Sequence, residues 1–203
     1  MRYLFYFFLI FSTNLIFAQN SKEFYDNGAL KAEGELTENL REGFWITYYP
    51  DSTISAHEYY KNGELEGICK YYDFDGNLQH IERWENGLLE GRASDFYPDG
   101  QLKKTGIYNN GLNEGEWYFY FENSCLRQIG NYKNGLPNGD WYIFHENGNL
   151  YQKGQFINNK ENGLWRFYRE DGSLEFEGSY KDAERIGTWY QYNKKGKRKT
   201  LKF

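Results

Sequence analysis

Seven glycines, Gly43, Gly67, Gly91, Gly115, Gly139, Gly163 and Gly187, recur every 24 residues without a slip. A fixed period of that size marks a repeat architecture, in which each segment is one small module stacked on the next. Contacts in such a chain run mostly between neighbouring modules. Any account of its folding must satisfy that period first.

Laid over one another with each glycine as position one, the copies share further columns. Position three is Trp45, Cys69, Ala93, Trp117, Trp141, Trp165 and Trp189. Position six is aromatic throughout: Tyr48, Tyr72, Phe96, Tyr120, Phe144, Tyr168 and Tyr192. Position ten is Gly or Ser, position twelve is Leu or Ile, and position eighteen is aromatic. A polar pair follows: Asn62-Gly63, Asn86-Gly87, Asn110-Gly111 and Asn134-Gly135, with Asn158-Asn159 and Asp182-Ala183 as weaker versions. A partial unit precedes the first full one, with Phe24, Gly28, Leu30 and Leu36 in phase.

One unit reads as a β-hairpin. Aromatic-rich runs such as Trp117-Tyr118-Phe119-Tyr120-Phe121 favour an extended chain. Pro98-Asp99-Gly100 and Glu146-Asn147-Gly148 then turn it, because Asn-Gly and Asp-Gly accept the positive φ of tight hairpins. A second strand spans positions twelve to eighteen, and the next Asn-Gly reverses the chain again. Helix is disfavoured by the 22 glycines and by the lack of any 3.6-residue apolar period between them. A lone hairpin of this size does not fold, so the units must stack. The expected fold class is all-β: an elongated antiparallel meander of repeated β-hairpins in a single layer. At ~4.8 Å per strand it extends roughly 65–70 Å. Positions three and six lie an odd number of residues apart. Either both faces of the sheet carry rings, or a bulge brings both rings to one side. Gly106, Gly130, Gly154 and Gly178, at position sixteen, leave room for a neighbouring Trp ring.

The copy Gly115-Glu116-Trp117 through Tyr120, then Leu126, Tyr132, Asn134-Gly135 and Gly139, resembles the MORN-type repeat in its bacterial variant form. Gly139-Asp140-Trp141 to Asn159 and Gly163-Leu164-Trp165 to Tyr180 match equally well, and the resemblance covers about residues 24–196. Cys69 and Ala93 depart from it where Trp is expected. Bacterial chains of this kind are grouped as YwqK-type antitoxin-like proteins. The resemblance implies a scaffold that binds protein or lipid without catalysis, and an antitoxin-like, partner-neutralising role.

The N-terminus has the pattern of a cleavable signal peptide: Arg2, an apolar run from Tyr3 to Phe11, a second from Leu15, and Ala18 before Gln19. That reading places the mature protein in the periplasm or outside the cell. It divides the chain into a signal peptide (1–18), an N-terminal partial or capping repeat (19–42), the array of 24-residue units (43–193) and a basic C-terminal tail (194–203). The tail holds Lys194, Lys195, Lys197, Arg198, Lys199 and Lys202. Net charge is −5; Arg2 contributes +1 and the tail +6, leaving about −12 on 19–193. An acidic body argues against nucleic acid as partner. The tail is read as a solvated edge whose lysines block sheet-to-sheet pairing, with contact to an anionic lipid surface as the alternative.

No catalytic constellation is present in the sequence. His57, His80 and His145 occupy unit positions fifteen, fourteen and seven. No His pair has metal spacing, and no CxxC, GxSxG, phosphate loop or dinucleotide fingerprint occurs. Glu64, Glu66, Glu90 and Glu114 fall in turns and are read as solvated. No enzyme, cofactor or metal is expected. The structural columns are Gly43 to Gly187 at position one, the Trp residues at position three, and Tyr48, Tyr72, Tyr120 and Tyr168 at position six. The variable position four, Tyr118, Tyr142, Arg166 and Tyr190, is the candidate binding face. The expected function is a non-catalytic scaffold for a protein partner outside the cytoplasm, which the resemblance implies to be antitoxin-like. A carbohydrate- or cell-wall-binding module, whose rings would stack on a glycan, is the alternative.

Overall fold

The computed structural model describes residues 18–201. The signal-peptide reading of 1–18 therefore lies almost wholly outside the described residues, as does Lys202. Among the described residues every regular element is a strand, in one antiparallel sheet of 18 strands. The first are β1 (Gln19–Phe24), β2 (Leu30–Thr37), β3 (Leu40–Tyr48), β4 (Ile54–Lys61), β5 (Glu64–Leu65) and β6 (Gly67–Tyr72). The middle comprises β7 (Leu78–Glu85), β8 (Leu88–Leu89), β9 (Gly91–Phe96), β10 (Leu102–Asn109), β11 (Leu112–Tyr120) and β12 (Leu126–Lys133). The last are β13 (Leu136–Phe144), β14 (Leu150–Ile157), β15 (Lys160–Tyr168), β16 (Leu174–Lys181), β17 (Glu184–Tyr192) and β18 (Arg198–Leu201). Each pairs with its neighbours in sequence, except that β5 and β6 lie in line against β4 and β8 and β9 in line against β7, so the sheet is an open meander. Part of the basic tail is thus strand, paired through Trp189↔Leu201 to Tyr192↔Arg198.

Two turn types alternate along the edges. At one edge Asn62-Gly63 has φ of 52° and 82°, the double positive pair of a two-residue hairpin turn. Asn158-Asn159 and Asp182-Ala183 adopt the same shape without glycine, with Ala183 at φ 70°. At the other edge an Asn or Asp accepts the N–H two residues on: at position nine in most units, as from Thr53 to Asp51 and Ser173 to Asp171 at 2.9 Å each, and at position seven for Asp73 and Asn193.

Five of the seven lead glycines sit inside strands rather than at their starts; Gly67 and Gly91 open β6 and β9. β11 begins at Leu112, three residues before Gly115, which has φ 67°. Opposite it, the β10 register skips from Thr105↔Tyr118 to Ile107↔Glu114. That is a bulge with a left-handed glycine, which a β-carbon would strain. The bulge repeats in every unit, so it is the structural meaning of the 24-residue period.

Rings occupy both faces. Trp45 and Ile46 are adjacent on β3 and point to opposite sides. Ile46 pairs with Glu33, and the Tyr48 hydroxyl donates to that same carboxylate at 2.7 Å. Position six is therefore on the face away from position three, with no bulge between them on their own strand.

Candidate functional site

On the first face, each Trp ring lies flat on the position-sixteen glycine of the preceding unit. A β-carbon on Gly106, Gly154 or Gly178 would come within 2.1 Å of the ring of Trp117, Trp165 or Trp189. Gly34 is covered by Trp45 in the same way, and Gly130 by Trp141 through the far edge of its ring. Position-eighteen rings close in edge-on, Tyr108 at 4.9 Å from Trp117 and Phe156 at 5.0 Å from Trp141. The five Trp residues are buried, between 0% and 8% exposed, which makes this ladder the core of a one-layer sheet. Trp45, Trp117 and Trp189 also donate to the backbone oxygens of Glu35, Ile107 and Ser179. The Trp165 indole N–H is buried without an acceptor.

The edges are laced between units. Glycine or its substitute in each tight turn donates to the previous unit's backbone, as Gly63 to Arg41 at 2.9 Å and Ala183 to Glu161 at 3.1 Å. Glu42, Glu66, Glu90 and Glu114 accept the N–H of Asn62, Asn86, Asn110 and Asn134 at 2.8 to 3.0 Å. Three of the glutamates read as solvated are thus turn caps; Glu64 is exposed. On the opposite edge, side chains at position seven reach the next unit's position-six carbonyl: Tyr25 to Tyr48, Tyr49 to Tyr72 and Tyr97 to Tyr120, at 2.7 to 2.8 Å.

The second face carries position four. Tyr118, Tyr142, Arg166 and Tyr190 are all half-buried. They align in direct cross-strand register: Tyr118 and Tyr142 flank Ile129, Tyr142 and Arg166 flank Lys153, and Arg166 and Tyr190 flank Glu177. Arg166 Nε bonds Glu177 at 3.2 Å. The Tyr192 hydroxyl and Arg166 together hold the Glu177 carboxyl below its usual range. Arg198 of the tail stacks 4.4 Å over Tyr190 and closes the row. The position-six residues Tyr48, Tyr72, Tyr120 and Tyr168 are half-buried, and Tyr72 hydrogen-bonds His57 at 3.0 Å.

The Trp ladder is interrupted at Cys69 and Ala93, and there the glycine under the ring is replaced as well. Position sixteen is Glu58 and Glu82 in those two places and glycine in the other five. A carboxylate occupies the room that an indole takes elsewhere. The two strands concerned are also the two that break, β5 from β6 at Glu66 and β8 from β9 at Glu90. Glu58 accepts from the Tyr60 hydroxyl at 3.0 Å and lies 3.8 Å from Arg41. Burial, then Glu58, pushes Tyr60 up to about 12. Burial raises Glu82, against the pull of nearby His80. Burial likewise raises the Tyr71 hydroxyl and the Cys69 thiol. Asp95 holds His80 and Lys104 at 3.0 Å each. Sequence reasoning noted Cys69 and Ala93 but missed Glu58 and Glu82; the signal was the paired change at positions three and sixteen.

The three histidines lie apart: His57 on the second face, His80 beside Asp95 on the first, and His145 at an edge against the Tyr168 carbonyl. Among the described residues no cluster of His, Cys, Asp and Glu could hold a metal ion. Cys69 is buried, Cys125 half-buried, and neither is in a disulfide.

The profile described as "MORN repeat variant" matches residues 65–86, 89–110, 113–134, 137–158 and 161–182. These five segments of 22 residues cover 110 of the 203. The chain belongs to the MORN repeat variant family. MORN repeats are non-catalytic scaffold modules that bind protein or lipid. Residues 43–64, ahead of the matched segments, have the same hairpin, bulge and Trp-on-Gly contact. No curated protein matches the chain. Among solved structures, the crystal structure of TcdB2-TccC3-Cdc42 is similar at 12% identity and a TM-score of 0.24, covering 96% of this chain and 13% of that one. That of TcdB2-TccC3 is similar at 12% identity and a TM-score of 0.21, covering 86% and 14%.

Proposed function

We propose that this MORN-variant chain is a scaffold that binds a protein partner outside the cytoplasm through its second face, in an antitoxin-like role. The observation that supports this is the position-four row: Tyr118, Tyr142, Arg166 and Tyr190 at matching places in successive units, half-buried and in register. Tyrosine and arginine on a preformed surface anchor protein interfaces with little ordering cost. The partner meets rings that the sheet already holds, and the Arg166–Glu177 pair sets a charge it must complement. The signal-peptide pattern supports the location. An antitoxin-like role adds that the captured protein inhibits growth alone and is neutralised on coexpression.

The test is capture from envelope extract by the mature protein, beside a Tyr142→Ala/Arg166→Ala double variant and beside purified peptidoglycan. One protein retained by the wild type, lost with the double variant and lost after protease treatment of the extract supports the reading. Glycan retention that survives protease overturns it in favour of a cell-wall-binding module.

A further inference from the structure

A shift of 24 residues along the array carries Arg41 onto Leu65, Trp45 onto Cys69, Glu58 onto Glu82 and Tyr60 onto Trp84. In the first set a cation is held on the Trp face. The Arg41 guanidinium stands 4.2 Å from the Trp45 ring and 5.2 Å from the Tyr60 ring. One of its nitrogens is 3.1 Å from the Tyr60 hydroxyl and 3.8 Å from Glu58. Arg41 also bonds Glu23 at 2.8 Å, a carboxylate whose place Thr47 takes in the second set; there Glu82 and the ring return, but the cation does not. Leu65 stands in place of the arginine, and Cys69 removes the indole that would fill the space.

The result is a shallow, open pocket of about 510 Å³ whose lining includes Leu65, Tyr71, His80, Glu82, Trp84 and Glu58. Among the described residues no lysine or arginine comes within ion-pair distance of Glu82. The nearest basic groups are committed elsewhere, since Asp95 engages both Lys104 and His80. We propose that this pocket is a binding site for the guanidinium of an arginine side chain presented by a protein partner. Guanidinium fits better than ammonium because it forks onto a carboxylate and stacks on an indole at once. The array already sets a guanidinium over an indole beside carboxylates at Arg41, with Glu23 at 2.8 Å and Glu58 at 3.8 Å, and Arg185 lies 4.8 Å over Trp189. The site goes beyond the reading above, since it lies on the face opposite the Tyr118 row and is independent of which partner that row engages.

The test uses the mature chain with ¹⁵N-labelled indoles, titrated with a capped Gly-Arg-Gly peptide. The neutral citrulline peptide and the lysine peptide are the controls. The arginine peptide is expected to shift the Trp84 indole signal saturably and leave Trp165 unmoved. Binding is expected to weaken about tenfold or more with citrulline or with Glu82→Gln, and to fall as salt rises from about 50 to about 200 mM. Glu82→Gln changes no volume, and an unchanged melting transition at low pH confirms that it folds. A second variant, Glu82→Gly with Ala93→Trp, restores the ladder at that place and is expected to abolish the Trp84 shift. No saturable shift, equal binding of the citrulline peptide, or undiminished binding by Glu82→Gln would overturn the site. Equal binding of the lysine peptide would overturn its assignment to guanidinium. None of these results bears on capture through the second face.

Discussion

A β-carbon built on Gly154 would lie 2.1 Å from the Trp165 ring, whereas one on Gly100 meets nothing within 4 Å. The two glycines serve different ends. Gly154→Ala forces the ring off its seat and is expected to cost about 2–3 kcal/mol by overpacking. Gly100→Ala pays only for φ +86° and is expected to cost about 1 kcal/mol. Denaturant midpoints of the two variants check the order; equal losses would mean that the ring does not rest on Gly154. Ala183 already bears that backbone cost at φ 70°, so Ala183→Gly is expected to stabilise by about 1 kcal/mol in the same assay. Glu82 titrates in the native state above its ordinary 4.5, chiefly through burial, with His80, Asp95 and Lys104 around it. A raised carboxyl favours the native state below the unfolded value, and that contribution is lost as pH rises through the native one. Glu82→Gln is therefore expected to raise the denaturant midpoint at neutral pH and to make little difference below pH 4.5. A constant gain at all pH values would mean that the charge is not what burial opposes.

At the scale of the strand and turn, most of the design was readable in advance and a part was not. The Asn-Gly pairs announced the tight turns because their preference for positive φ is a property of two adjacent residues. The second strands start where position twelve puts them, but in five of the seven units the first strand starts ahead of its glycine. Gly115 read as the first residue of a unit, yet β11 begins at Leu112 and the glycine is its bulge. A positive φ has the same sequence signal in a turn and in a bulge, and only the partner strand distinguishes them. The glutamates before these glycines were misread for a related reason. Glu114 accepts the Asn134 N–H from 20 residues away, a partner brought near only by stacking. Glu114→Ala is expected to cost about 1 kcal/mol and to speed hydrogen exchange at the Asn134 amide, leaving the Asn62 amide unchanged. Equal acceleration at both amides would show a global effect rather than a lost cap.

Across the whole molecule, each unit contacts mainly the units beside it, so stability propagates along the array. Trp141→Ala, between Tyr132 and Phe156, is expected to cost about 3–5 kcal/mol and to uncouple the two halves of the sheet. Trp189 is as buried as the others because β18 extends the sheet beyond β17. Its loss is expected to fray only the last strands. Two transitions in the denaturant melt of the first variant and one in the second would bear this out; a single, equally shifted transition in both would not. The period itself is testable by excision. Removing residues 139–162 deletes one unit in phase and is expected to leave a cooperative all-β protein. Removing 139–160 shifts the register by two residues and is expected to abolish cooperative unfolding, as read by circular dichroism. The sequence by itself determined the repeat length, the hairpin and the alternation of turns, because these follow from preferences acting over a few bonds. The tertiary structure alone decided which glycine lies beneath which indole, which face each ring occupies, and that Glu58 and Glu82 stand where the ladder breaks. Those facts depend on contacts between residues 10 to 24 positions apart, brought together by a bulge whose partner strand no local pattern names.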